Sequence, residues 1–284
     1  MENQIDKYVD KDDALFHYTN LRVGIENILH EKKLKPSLYI DTNDPREYKF
    51  LLLNRMGSEW SEETKRLWAD AHPVIDRILK YHYKVMCFSS NGRPTLIINN
   101  NEIDEIEDPY AVTTGWSKSR MWTQYGENHR GLCIVFSKTA IEKMIQDVNL
   151  PAMSSKRDYV KYSPSERIRM VAYTINVSRL KQKGVENYCK NHVLKHINDF
   201  FFTKHVDYRD ENEYRVVIYD PEKIYEYFYI NSIIKGVIAG DRTPKVYLPI
   251  IEKQCEALNI ECRRIEWDRG KPHLLLCNKP QTAT

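Results

Sequence analysis

Apolar residues recur along the chain at two periods, one helical and one of strands. Leu21, Ile25, Ile28 and Leu29 fall at i, i+4, i+7 and i+8, which predicts an amphipathic helix capped by Thr19 or Asn20. Before it, residues 14–18 read as a short strand, and residues 38–40 as another. Asp44-Pro45-Arg46-Glu47 is a helix start, with Asp at the N-cap, Pro at the first position and Glu at the third; Tyr48, Leu51 and Leu52 follow. A polar helical stretch runs from Ser61 to about Tyr83 and should be broken or bent near Pro73.

Buried strands are expected at 85–89, 132–136 and 214–218, with others at 225–230 and 260–266. Helical segments are expected at 117–125, 139–148, 185–201 and 244–258. Residues 90–110 read as a polar loop around Asn99-Asn100-Asn101, and residues 151–169 as irregular and basic. Mixed periods without a repeat predict an α+β fold: one mixed domain with a central, largely antiparallel sheet, open to being split, flanked by helices. The expected boundaries are an N-terminal extension over 1–13, the domain over 14–268 and a C-terminal tail over 269–284.

Length and composition narrow this further. The 284 residues are enough for a sizeable core, and 11% aromatics with only 10 glycines exclude a disordered or low-complexity chain. Nineteen tyrosines point to half-buried faces where a ring packs and a hydroxyl finds a partner. A net charge of +3 neither demands nor forbids nucleic acid. No long apolar run predicts a membrane span, and the polar start lacks a signal-peptide pattern, so a cytoplasmic protein with no membrane partner is expected. Six cysteines without a CxxC pair read as buried free thiols.

Three segments carry candidate chemistry. His17 ends a strand directly before a helix N-terminus, where free N–H groups favour a phosphate, although a capped turn alone would explain Thr19. Glu211, Glu213 and Arg215 alternate with Tyr214, Val216 and Ile218. Two carboxylates about 7 Å apart could stabilise an oxocarbenium charge and deprotonate an acceptor; a solvated charged strand is the plainer alternative. The run Met121 to Cys133 holds Trp122, Tyr125, His129 and Arg130, suited to stacking and phosphate contact, with Gly126 and Gly131 expected at special backbone angles. Lys156, Arg157 and Lys161, followed by Arg167 and Arg169, interleave with tyrosines as a single-strand nucleic-acid surface would require. His192, His196 and His205 lack the glutamate of HExxH, so no metal is expected.

The order of His17-Tyr18-Thr19, Asn43-Asp44-Pro45-x-Glu47, Cys87-Phe88-Ser89, Met121-Trp122-x-x-Tyr125 through Gly131, Ile134 and Phe136, and Glu211-x-Glu213-Tyr214-Arg215 resembles the bacterial domain of unknown function 2971 family. That resemblance runs from about residue 14 to 266. The opening His-Tyr-Thr with a late glutamate on a strand is also similar to NAD-dependent ADP-ribosyltransferases, including toxin-like enzymes that modify DNA. That similarity implies NAD as substrate, His17 on the cofactor ribose, and Glu213 promoting glycosidic cleavage with Glu211 as its two-glutamate partner. Ser89-Ser90 and Tyr125 stand as candidates for the middle motif, with Tyr18, Thr19 and Arg215 completing the cofactor site. A nucleic acid or a protein would be the acceptor, and a toxin or antiviral phage-defence effector the setting. The alternative from another class is a non-catalytic nucleotide- or nucleic-acid-binding sensor module.

Overall fold

The computed structural model describes residues 4–49, 53–57, 61–98, 101–104, 114–148, 155–164 and 170–277. Its centre is a nine-stranded sheet: β1 Ala14–Thr19, β2 Ser37–Leu38, β3 Tyr83–Ser90, β4 Leu132–Ser137, β5 Ser155–Tyr159, β6 Glu213–Tyr219, β7 Ile234–Ala239, β8 Glu261–Asp268 and β9 Lys271–Leu276. The order is β9-β8-β7-β4-β1-β3-β6-β5, with β2 added against β3. Only β7 and β8 run parallel. This is the expected α+β class.

The central strands are apolar on both faces, as strands covered on both sides must be. One face carries Leu15, Phe88, Ile134, Val216 and Val237 beneath the helices Val23–His30, Lys138–Asp147 and Leu248–Ala257. The other face carries two separate cores. Phe16, Tyr18, Val135 and Ile238 pack with Ile5, Val9 and Trp122. Tyr83, Val85 and Val217 pack with the helices Glu62–Tyr81 and Val185–Lys195.

Between those two cores the sheet opens. β1 pairs with β4 along its whole length, but with β3 only through Leu15–Ser90 and Phe16–Ser89. Meanwhile β3 pairs with β6 from Ser89–Glu213 to Tyr83–Tyr219. A small second sheet, Thr95–Ile98, Asn101–Asp104, Lys161–Ser163 and Thr203–His205, lies beside the end of β6. The Tyr162 hydroxyl, from its middle, accepts the Glu213 N–H at 2.9 Å.

Several expectations need correcting. The basic stretch is not irregular where described: it forms β5 and the strand Lys161–Ser163. The loop at 90–110 contains the hairpin of Thr95–Ile98 and Asn101–Asp104; Asn99, Asn100 and 105–110 lie outside the described residues. The helix over Pro73 is continuous from Glu62 to Tyr81. The expected helix 185–201 is two, Val185–Lys195 and Ile197–Phe201. The helix at Pro45 ends at Tyr48, and Leu51 and Leu52 lie outside the described residues.

Residues expected as termini belong to the fold. Ile5 and Val9 are buried, and Lys271–Leu276 of the supposed tail is the edge strand β9. All six cysteines are free, as expected, although Cys262 and Cys277 face each other with Sγ atoms 2.6 Å apart. Glu127, Asn128 and His129, rather than Gly126 and Gly131, take the left-handed φ angles. Gly131 is required for a different reason: a Cβ there would lie 2.1 Å from the Thr19 carbonyl oxygen.

Candidate functional site

Where β1 and β3 part, a cleft of about 240 Å³ runs between the two cores. His17, Tyr18, Cys87, Ser89, Tyr125, Lys204, Glu211, Glu213, Arg215 and Glu47 contribute to its wall, with apolar rings and chains such as Phe16, Leu34 and Phe88. Strand alternation puts His17 on the face of Leu15 and Phe88, and Glu213 on the opposite face, that of Ser89. Both reach one cleft because the strands have separated between them.

His17 spans the gap: its Nδ1 lies 3.2 Å from the Cys87 carbonyl oxygen. A carbonyl only accepts, so Nδ1 carries the proton and Nε2 is left as an acceptor in the neutral ring. Burial lowers the His17 pKa more than that hydrogen bond raises it, which favours the neutral form.

The floor is an ionic cluster. Arg215 donates to Glu213 from Nε at 2.6 Å and Nη2 at 3.0 Å, and to Glu47 from Nη1 at 2.7 Å. Lys204 donates to Glu211 at 2.6 Å and to Glu213 at 3.1 Å. The Tyr125 hydroxyl donates to Glu211 Oε1 at 2.7 Å. Four local features of the chain converge here. Glu213 and Arg215 are alternate residues of β6; Lys204 comes from the small second sheet; Glu47 comes from the turn that Asp44 caps. Glu211 closes a 3-10 turn before β6, and the left-handed Asn212 between them lets both carboxylates meet Lys204.

The alternative of a solvated charged strand is therefore excluded: Glu211 and Glu213 are each only 3% exposed. Burial alone would raise the Glu213 pKa, but Arg215 and Lys204 outweigh it and hold the carboxyl well below its ordinary value. Glu211 goes the other way: burial, aided by Glu213, raises its pKa against the opposing pull of Lys204.

The two glutamates also differ in free capacity. Glu213 accepts from Arg215 twice and from Lys204, three of the four acceptor positions of a carboxylate. Glu211 accepts from Lys204 and Tyr125, one donor on each oxygen. Glu211 has more room for a ligand than Glu213.

Other candidates separate from the cleft. Ser89 and Tyr18 line it, but the Ser89 hydroxyl donates to the Glu211 carbonyl at 2.7 Å and the Tyr18 hydroxyl to the Gly115 carbonyl. Thr19 is buried against Gly24 and Gly131. The expected phosphate position at the following helix N-terminus is filled from within. Glu127 accepts the Leu21 N–H at 2.9 Å, and Asn20, the actual cap, accepts the Val23 N–H at 2.8 Å.

Lys156 and Arg157 point to opposite faces of edge strand β5, one over the Phe202 ring and one to the Glu142 carbonyl, so these two do not share one basic face. Arg167 and Arg169 lie outside the described residues. His192 contacts the Ala172 carbonyl, while His196 and His205 face Asp199 and Asp207. Among the described residues no His, Cys, Asp and Glu group could hold a metal ion, and no helix is long and apolar enough to cross a membrane.

Lys204, Glu47 and Lys118 were not singled out from the sequence as site residues. Lys118 Nζ lies 3.3–3.4 Å from the Ser89 hydroxyl and the Ser90 and Glu211 carbonyls, and burial lowers its pKa to about 8.

The cleft and its buried ionic floor place a polar site where the mixed sheet parts. Residues 121–216 match the family model described as "Protein of unknown function (DUF2971)". That segment includes Tyr125, Lys204, Glu211, Glu213 and Arg215, and supports the resemblance to the domain-of-unknown-function family. No curated protein and no solved structure matches the chain.

Proposed function

We propose that the chain is an NAD-consuming protein of the ADP-ribosyltransferase kind, transferring ADP-ribose to an acceptor or to water. The observation that carries this is the meeting of His17 with Glu211 and Glu213 in one cleft. In this reading the neutral His17 Nε2 accepts a ribose hydroxyl, and the Tyr125 ring supplies an aromatic wall.

Glu211 takes the reacting position. The bond from ribose C1′ to the nicotinamide nitrogen breaks, and its electron pair leaves with nicotinamide. The negative charge of Glu211 stabilises the oxocarbenium left at C1′. The acceptor oxygen or nitrogen then bonds to C1′ and passes its proton to Glu211, whose raised pKa suits it as a base. Glu213, locked by Arg215, positions Lys204 and through it Glu211. A toxin or phage-defence effector acting on a nucleic acid or a protein is the biological setting that fits such chemistry.

The test is incubation of the protein with NAD, with and without DNA, RNA and cell protein, followed by chromatography for nicotinamide. Release above a protein-free control is expected. No release with any acceptor rejects the reading.

A further inference from the structure

Three thiols meet at the outer edge of the sheet, with β7, β4 and β1 between them and the cleft. Cys262 stands on β8, and Cys277 directly follows β9. The ladder pairs Arg263 with Leu276, so the two cysteines are the next opposed pair, and their Sγ atoms lie 2.6 Å apart. Cys255, on the helix Leu248–Ala257 that covers this face, approaches Cys262 as well. Cys255 and Cys277 are buried, while Cys262 is partly exposed and is the thiol that a dissolved reagent meets first. Contact with the Cys255 and Cys277 thiols, then burial, raises the Cys262 thiol well above its ordinary pKa. The strand beside them is weakly held. Among the described residues β9 pairs with β8 alone, Pro272 gives the ladder no N–H, and none of its side chains is buried.

We propose that Cys262 and Cys277 are a redox-sensitive pair, which a small-molecule disulfide of the glutathione class converts into a cross-strand disulfide that fastens β9 to the sheet. The Cys262 thiolate attacks one sulfur of the small disulfide, and one small thiolate leaves. The Cys277 thiolate then attacks the Cys262 sulfur of the mixed disulfide, and the second small thiolate leaves. The protein gives up two electrons and two thiol protons, and the small disulfide is reduced to two thiols. Directly opposed strand positions hold Cβ atoms about 4.5–5.5 Å apart, so a small approach reaches the disulfide range of about 3.5–4.5 Å. The high thiol pKa makes the first step slow near neutrality and faster in mild alkali, where more thiolate is present. Once formed, the bond suppresses the openings in which an edge strand leaves its neighbour. The pair stands apart from the cleft, so nicotinamide release has no bearing on it.

The experiment is incubation of the whole protein with oxidised glutathione in mild alkali, and with reduced glutathione in parallel, followed by alkylation of free thiols, trypsin digestion and mass spectrometry. Trypsin cuts after Arg263, Arg264 and Arg269, so a Cys262–Cys277 bond joins two peptides, whereas a Cys255–Cys262 bond stays within one. The joined pair is expected in the oxidised sample and not in the reduced one. Cys255→Ala should keep it and Cys262→Ala should lose it, each variant checked by thermal melting. Hydrogen exchange of the β9 amides should be about tenfold or more slower in the oxidised parent than in the reduced parent. Absence of the joined pair overturns the inference, as does a bond confined to the single peptide or a joined pair that vanishes in folded Cys255→Ala. Unchanged β9 exchange in the bridged protein overturns the fastening role.

Discussion

Arg215 grips Glu213 at two points, Nε to Oε1 at 2.6 Å and Nη2 to Oε2 at 3.0 Å, with both side chains buried. Two residues apart on one strand, they point the same way, and the second core closes over them. Glu213→Gln keeps the shape but removes the charged acceptor of two Arg215 bonds and one Lys204 bond, and turns an amide NH2 toward one of those donors. Breaking a buried pair from one side costs about 3–5 kcal/mol. Thermal melting should show a large loss of stability, in contrast to the near-neutral effect expected of an exposed strand charge. A melting temperature unchanged from the parent would contradict the locked arrangement.

Asp13 ties the N-terminal segment to the sheet. It accepts from the Tyr8 and Ser137 hydroxyls and from the Thr139 N–H and hydroxyl. Burial alone would raise its pKa, but these donors bring it down to about 2. The folded pKa is depressed, so the stabilisation is present above the unfolded value near 4 and fades as pH falls from there toward 2. Asp13 is partly exposed, so Asp13→Asn should cost about 1 kcal/mol at neutral pH after solvent screening. Its loss of stability between pH 4 and pH 2 should be shallower than the parent's. Parallel urea titrations of both proteins across that range check this.

The period-two and helical patterns located β1, β3, β4, β6 and the stripe after Thr19, because burial acts there on runs of residues. His17, Ser89, Tyr125, Glu211, Glu213 and Arg215 were legible because they stand in short polar interruptions of those runs. Lys204 and Glu47 were not. Glu47 is fully accounted for locally as the third residue of a capped helix. Lys204 is a single lysine in a three-residue strand whose partners are distant in sequence. Strand β9 was missed because Pro272 and its short leucine run resemble a terminal tail.

Lys118 should make the protein more stable in mild alkali. Its folded pKa is lowered by burial from the ordinary lysine value to about 8, with Asp210 and Glu211 opposing the shift. A lysine depressed in the folded state carries its penalty below pH 8 and sheds it as pH rises from 8 toward the unfolded value near 10.4. Lys118→Met removes the charge at similar volume. Stability at pH 7 should rise by about 1–2 kcal/mol, allowing for partial exposure, and the gain should vanish near pH 10. Denaturant midpoints at pH 7 and pH 10 decide this. A variant less stable than the parent at pH 7 would show that the Ser89 and carbonyl contacts outweigh the cost of burying the charge.

Glu211 and Glu213 should separate in kinetics as they do in geometry. Glu211 has a free acceptor position on each oxygen and faces the cleft with Tyr125 and Lys204; three of the four positions of Glu213 are taken. Glu211→Gln leaves Lys204 paired with Glu213 at 3.1 Å, so the fold should hold better than in Glu213→Gln. In the proposed reaction the charge removed is the one that would meet the oxocarbenium, and losing one such electrostatic group costs about a hundredfold or more in rate. Nicotinamide release should fall by that factor in kcat, with KM little changed, because the group acts on charge that develops only in the transition state. Tyr125→Phe removes the donor to Glu211 Oε1 and keeps the ring, so a smaller loss is expected. The measurements are initial rates of nicotinamide release and melting curves for the parent and all three variants. A folded Glu211→Gln protein with the parent's kcat would return the reacting role to Glu213 or remove it from this pair.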